Sequence, residues 1–143
     1  MTQDPLESLL RLRRLAVDEA RRGLADCLRA ECQAAEALAA LEAAIERETD
    51  VAADLSAGDA EVEAFAAWLR RMRPKQQAAH AAEAQAEAAT AQGRAILAAA
   101  RAAVSAVEDM LAEHTAERKA EAQRQAQREI DEAVQRRSGT GSA

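Results

Sequence analysis

The sequence predicts an all-α protein, a long antiparallel two-helix coiled-coil hairpin with an overhanging C-terminal helix. Three observations carry this. Strong helix formers, Ala, Leu, Glu, Gln and Arg, fill the chain on both sides of one break at Ser56-Ala57-Gly58-Asp59. Apolar residues before the break recur with a seven-residue period. Aromatics make up 1% of the 143 residues, and the 49% apolar fraction is mostly Ala, so the core is a thin seam and not a ball.

Helix one is expected over about residues 4–56. Asp4 is placed to cap, Pro5 suits the first helical position, and Glu7 follows three residues after the cap. One seam position reads Leu10, Val17, Leu24, Glu31, Leu38, Ile45 and Ala52. Its partner reads Leu6, Arg13, Ala20, Cys27, Ala34, Leu41, Glu48 and Leu55. A repeat of seven held along the whole segment favours a left-handed supercoil. Arg13, Glu31 and Glu48 weaken that seam and fix its register.

The turn is expected at 56–59. Gly58 is expected in the left-handed conformation that ends a helix, and Asp59 as the cap of the next. Helix two is expected over about 60–137. It opens with Val62, Phe65, Leu69 and Met72, spaced three and four apart, with Trp68 beside them. Pro74 predicts a kink or short break. An Ala-dominated stretch from Ala78 to Ala103 follows, and larger residues return at Leu97, Val104, Val107 and Leu111. Residues 138–143 are expected as a disordered tail.

Folding the chain about the turn pairs Ile45 with Leu69, Val17 with Leu97, and Leu10 with the Val104–Val107 region. It also brings Gly23 near Gly93. Helix one then ends opposite Leu111, and Ala112 to Arg137 is left over. That overhang is roughly 39 Å of helix with a thin apolar stripe that includes Ala116, Ala120, Ile130 and Val134. Such a helix is marginal alone and implies a partner.

Composition also excludes. The net charge of -6, with mixed signs, gives no basic field for nucleic acid. No apolar run reaches membrane-spanning length, and the N-terminus lacks a signal-peptide pattern, so cytoplasmic residence is expected. Cys27 and Cys32 lie on different helix faces and lack metal-ligand spacing. His80 and His114 match no zinc motif, and the isolated glycines form no phosphate loop. The expectation is a non-enzyme without cofactor, metal or catalytic residues.

Two surfaces are candidates for partners. Phe65, Trp68, Leu69 and Met72, just past the turn, are the densest cluster of large side chains. Part of it locks the turn, but Trp68 sits beside the seam, where a partner would find it. The second surface joins Arg11, Arg13 and Arg14 with Arg118, Arg124, Arg128, Ile130 and Val134, where the two chain ends converge.

Leu9-Leu10-Arg11-Leu12-Arg13-Arg14 with Asp18-Glu19-Ala20, and Ala37-Leu38-Ala39-Ala40-Leu41-Glu42, resemble the flagellar export protein FliJ family. The ending, Gln127-Arg128-Glu129-Ile130-Asp131-Glu132-Ala133-Val134-Gln135-Arg136-Arg137, resembles that family's charged C-terminal stretch. The resemblance implies a stalk-like coiled coil of type III protein export. It couples the hexameric export ATPase, entered by the open end, to the membrane export gate, reached by the tip. It also implies binding of export chaperones, and a cytoplasmic location peripheral to the inner membrane at the flagellar base, with membrane contact only through partners. Phe65, Leu69 and Met72 fall at the spacing of the family's gate-binding surface, while Gln76 departs from it.

Two other readings stand beside this one. A coiled-coil regulator of the RNA polymerase secondary channel would use acidic residues at the tip, such as Asp54, Asp59 and Glu61, but needs a second docking domain. A generic scaffold needs only the rod.

Overall fold

The computed structural model describes residues 4–54, 56 and 58–141. Two helices account for nearly all of them: α1, Pro5–Ala52, and α2, Asp59–Thr140. No strand occurs among the described residues. The fold is therefore all-α, a two-helix hairpin.

α1 starts as its sequence dictates. The Leu6 amide donates to Asp4 Oδ1 at 3.0 Å, which satisfies one of the unpaired donors of the first turn. α1 ends at Ala52, where the Ser56 amide bonds Asp54 Oδ1 at 3.1 Å and turns the chain. The cap of α2 differs from expectation. Gly58, not Asp59, is the capping position: its carbonyl accepts from the amides of Glu61 and Val62 at 3.1 and 3.2 Å. Asp59 is the first helical residue, where its charge suits the helix dipole. No described glycine has positive φ, so Gly58 serves as a residue without a side chain to place and not as a left-handed one. Leu55 and Ala57 lie outside the described residues.

α2 runs unbroken through Pro74, which is exposed. It also continues through Ser138, Gly139 and Thr140. The hydroxyls of Ser138 and Thr140 fold back, Ser138 Oγ donating to the Gln135 carbonyl and Thr140 Oγ1 to the Arg136 carbonyl, at 2.9 and 3.1 Å.

The chain divides into two compact units. The first is Val17–Ala99, an antiparallel pairing of most of α1 with the first half of α2. Val17, Leu38, Leu97 and Thr90 are buried there, and Ala20, Leu24, Cys27, Glu31, Ala34, Leu41 and Ile45 are half-buried. Apart from Thr90, these belong to the pattern read from the sequence. Gly93 faces α1, where a Cβ would lie in ordinary van der Waals contact, 3.4 Å from Leu24 Cδ1 and 3.8 Å from Cys27 Sγ. Gly23, expected beside it, instead faces open space. The register is displaced by roughly one helical turn from the size-based pairing. Across the same unit, His80 Nε2 lies 3.3 Å from Glu42 Oε1.

The second unit comprises Met1–Ala16 and Ala100–Ala143. Val107 is its buried residue, at 3% exposure, with Leu6, Leu9, Leu10, Val104 and Leu111 half-buried. Arg14 and Glu108 pair at 3.4 Å across the two helices.

Along α2 the half-buried and buried positions, apart from Ala67, Trp68, Ala103 and Ala120, form one series: Phe65, Leu69, Met72, Gln76, Ala79, Glu83, Ala86, Thr90, Gly93, Leu97, Ala100, Val104, Val107 and Leu111. The steps alternate four and three, the signature of a coiled-coil seam. It ends at Leu111. Beyond it every described residue to Gly141 is exposed except Ala120.

Candidate partner-binding surfaces

The first surface lies beside the turn, in the Val17–Ala99 unit. Phe65, Trp68, Leu69 and Met72 are all half-buried. The helical period puts Phe65, Leu69 and Met72 on the seam and Trp68 on its flank. The Phe65 and Trp68 rings stack, with centroids 6.1 Å apart and planes 29° apart. This is an aromatic platform held by its own geometry. It lines one side of a shallow groove whose other wall is Glu48, Val51 and Ala52 of α1, with Glu61 and Arg71 at the margin. Val51 and Val62 are 65% and 47% exposed. Apolar surface is thus left open beside the stack, with charges of both signs around it.

The second surface lies in the other unit. Glu7, Leu10, Arg11, Arg14 and Leu111 line a shallow groove there. Arg11 donates to Ser8 Oγ at 3.4 Å, and Arg14 is held by Glu108. Arg13 stands at a seam position yet is exposed, as suits a long side chain that keeps its charged end in water. Leu12 and Leu15 are 63% and 61% exposed on the outer face of α1.

The overhang carries the remaining predicted residues, all exposed: Arg118, Arg124, Arg128, Ile130 and Val134. Arg124 Nη2 bonds Glu121 Oε2 at 2.6 Å within the helix. Continuing the four-three spacing past Leu111 gives His114, Arg118, Glu121, Gln125, Arg128 and Glu132, all polar. The apolar residues Ala116, Ala120, Ile130 and Val134 stand at the positions opposite that line. So this segment cannot extend the hairpin's own seam. An apolar partner would have to approach from the other side of α2. The four-three spacing that starts at Phe65 carries this signal in the sequence, through the Ala-rich stretch.

Among the described residues no group of three or more His, Cys, Asp or Glu is arranged to hold a metal ion. No described helix is long and apolar enough to cross a membrane. Cys32 donates to Glu36 Oε1 at 3.5 Å, and that hydrogen bond, the carboxylate charge and desolvation together push its thiol above the ordinary value.

Paired helices with an aromatic platform beside the turn and a segment whose apolar face is turned outward define a coiled-coil interaction protein. Comparison with known families makes this specific. The model of the family described as Flagellar FliJ protein matches residues 2–142, and the chain belongs to that family. It is a component of flagellar protein export. No curated protein and no solved structure matches it.

Proposed function

We propose that this chain is the stalk-like coupling protein of flagellar type III export, a non-enzymatic link between the hexameric export ATPase and the membrane export gate that also binds export chaperones. The observation that carries this reading is the change of face at Leu111. A helix that keeps its apolar residues away from its own hairpin is built for a different partner. Arg11, Arg13, Arg14, Arg118, Arg124, Arg128, Ile130 and Val134 are the residues that would meet the ATPase ring. Phe65, Trp68, Leu69 and Met72 would meet the gate, with the stacked Trp68 as anchor. The protein works in the cytoplasm and reaches the inner membrane at the flagellar base only through these partners.

Mixing the purified protein with the export ATPase tests the first contact. ATPase activity or ring assembly is expected to rise, and Ile130→Asp with Val134→Asp is expected to abolish the rise while leaving helicity unchanged. No response from the unmodified protein would remove the proposal. For the second contact, Trp68→Ala with Leu69→Ala is expected to impair swimming in a strain that makes normal amounts of the protein. Normal motility would remove the tip assignment.

A further inference from the structure

The two flanks of the Val17–Ala99 pair differ in chemistry. On one flank His80 meets Glu42. Each stands one residue after a seam position, Ala79 and Leu41. On the other flank Val51 and Trp68 line one groove, and each stands one residue before a seam position, Ala52 and Leu69. Steps of seven residues stay on one flank of a coiled coil. From Val51 they lead back to Ala44, Ala37, Ala30 and Gly23, and from Trp68 they lead on to Lys75, Ala82, Ala89 and Ile96. Lys75 is the single charge in that set. On the His80 flank the same steps pass through Arg21, Glu42, Arg73, Glu87 and Arg94.

The flank of Val51 and Trp68 lies open. Val51 and Ile96 are 65% and 54% exposed, and a Cβ on Gly23 would meet nothing within 4 Å. From Trp68 to Ile96 it runs roughly 42 Å, and two helices side by side are about 20 Å wide. It therefore offers up to about 800 Å², the share that each partner gives to a specific interface of standard size.

Side-chain sizes and charges on this flank complement those of the same flank turned end for end. Val51 and Trp68 stand at the turn end, Gly23 and Ile96 at the other. Gly23 and Ile96 share a level, because a Cβ on Gly93 would lie 3.7 Å from the neighbouring Leu24 Cα. A two-fold axis through Ala37 and Ala82 sets Val51 of one copy over Gly23 of a second copy, and Trp68 over Ile96. Lys75 falls over Ala89. Asp26 lies three residues after Gly23, and Arg47 three after Ala44, so both stand on the outer margin of this flank. The axis brings Asp26 of one copy beside Arg47 of the other, opposite in charge. A second copy laid parallel would instead set Arg47 against Arg71 and repel.

We propose that this flank docks a second copy of the chain as an antiparallel two-fold dimer. Small residues at its centre let the helices approach closely, and the absence of charge there spares the desolvation that the His80 flank would incur. Trp68 is covered in the dimer, so dimer and gate contact exclude each other, but the dimer rests on this flank alone and not on the gate reading.

Sedimentation equilibrium of the full chain tests it, and a dimer is expected. Ala82→Glu places two carboxylates at the axis and is expected to weaken the dimer at least about tenfold with helicity unchanged. Asp26→Arg is expected to weaken it also, and adding Arg47→Asp to restore it. With Cys27→Ala and Cys32→Ser, Ala82→Cys is expected to give a disulfide-linked dimer on mild oxidation. Lys75→Cys is not, since its counterpart lies roughly 21 Å away. A chain that stays monomeric at about 100 μM overturns the proposal, because an interface of this size holds together at that concentration. A dimer indifferent to Ala82→Glu, or cross-linked as readily through position 75 as through 82, overturns it as well.

Discussion

Leu38 and Leu12 show how little a leucine's identity says about its role. They occupy the same helix and differ in exposure tenfold, 6% against 63%. Truncating Leu38 to Ala removes buried methyl groups and leaves a void, which is expected to cost about 2–4 kcal/mol. Leu12→Ala is expected to fall within about 0.5 kcal/mol of the parent. Urea unfolding followed by circular dichroism separates the two, and equal losses would contradict the burial described here. Cys32 gives a second residue-scale prediction. Its thiol is pushed up by the bond to Glu36 and by that carboxylate's charge, so at a given pH it holds less thiolate than an ordinary cysteine. Glu36→Gln removes the charge. Alkylation of Cys32 by iodoacetamide is then expected to speed up near pH 8 and its pH profile to move to lower pH. A profile that does not move would show that Glu36 has no hold on the thiol.

At the scale of the element, both helices carry residues that oppose helicity, and packing does not always require them. Gly23 faces open space within α1, so Gly23→Ala is expected to stabilise by about 0.5–1 kcal/mol through helix propensity alone. Gly93 differs in facing the partner helix, where an added methyl group would meet Leu24 and Cys27 at ordinary contact distances. Pro74 stands exposed in α2 without an amide to donate. Pro74→Ala restores that bond and is expected to raise stability by about 1–3 kcal/mol, read as a higher thermal midpoint. No gain would mean that α2 is already distorted there in a way that absorbs the proline. The exposed ion pairs contribute less: Arg14–Glu108, with both side chains about half exposed, is of the kind that contributes about 1 kcal/mol or less.

For the molecule as a whole, the buried apolar core among the described residues consists of Val17, Leu38, Leu97 and Val107, all on the seam. Stability therefore follows pairing, and α2 loses its pairing past Leu111. A helix without tertiary support opens readily. Limited trypsin digestion is expected to cut first among Arg118, Lys119, Arg124, Arg128, Arg136 and Arg137, ahead of Arg94 and Arg101 in the paired part. Mass spectrometry identifies the sites. Addition of the export ATPase is expected to suppress these early cuts, and protection confined to other arginines would move the ATPase contact elsewhere.

The sequence by itself determined the two helices, the break between them and the α1 seam, because helix propensity and a seven-residue period are local properties that need no partner to be read. It also pointed to the family, through the stretches 9–14, 37–42 and the charged ending 127–137. The aromatic cluster at Phe65 and Trp68 was legible for the same reason, as a dense group of large residues at helical spacing. Tertiary structure decided the rest. Which residue capped α2 depended on the path of the turn, and so Gly58 took the place expected for Asp59. The register depended on how the two helices pack, which sets Gly93 against Leu24 and Cys27, a choice that Ala-rich spacing leaves open. Only the fold shows that Glu31 Oε2 and Thr90 Oγ1 are buried without a hydrogen-bond partner, because burial is set by the facing helix and not by local sequence.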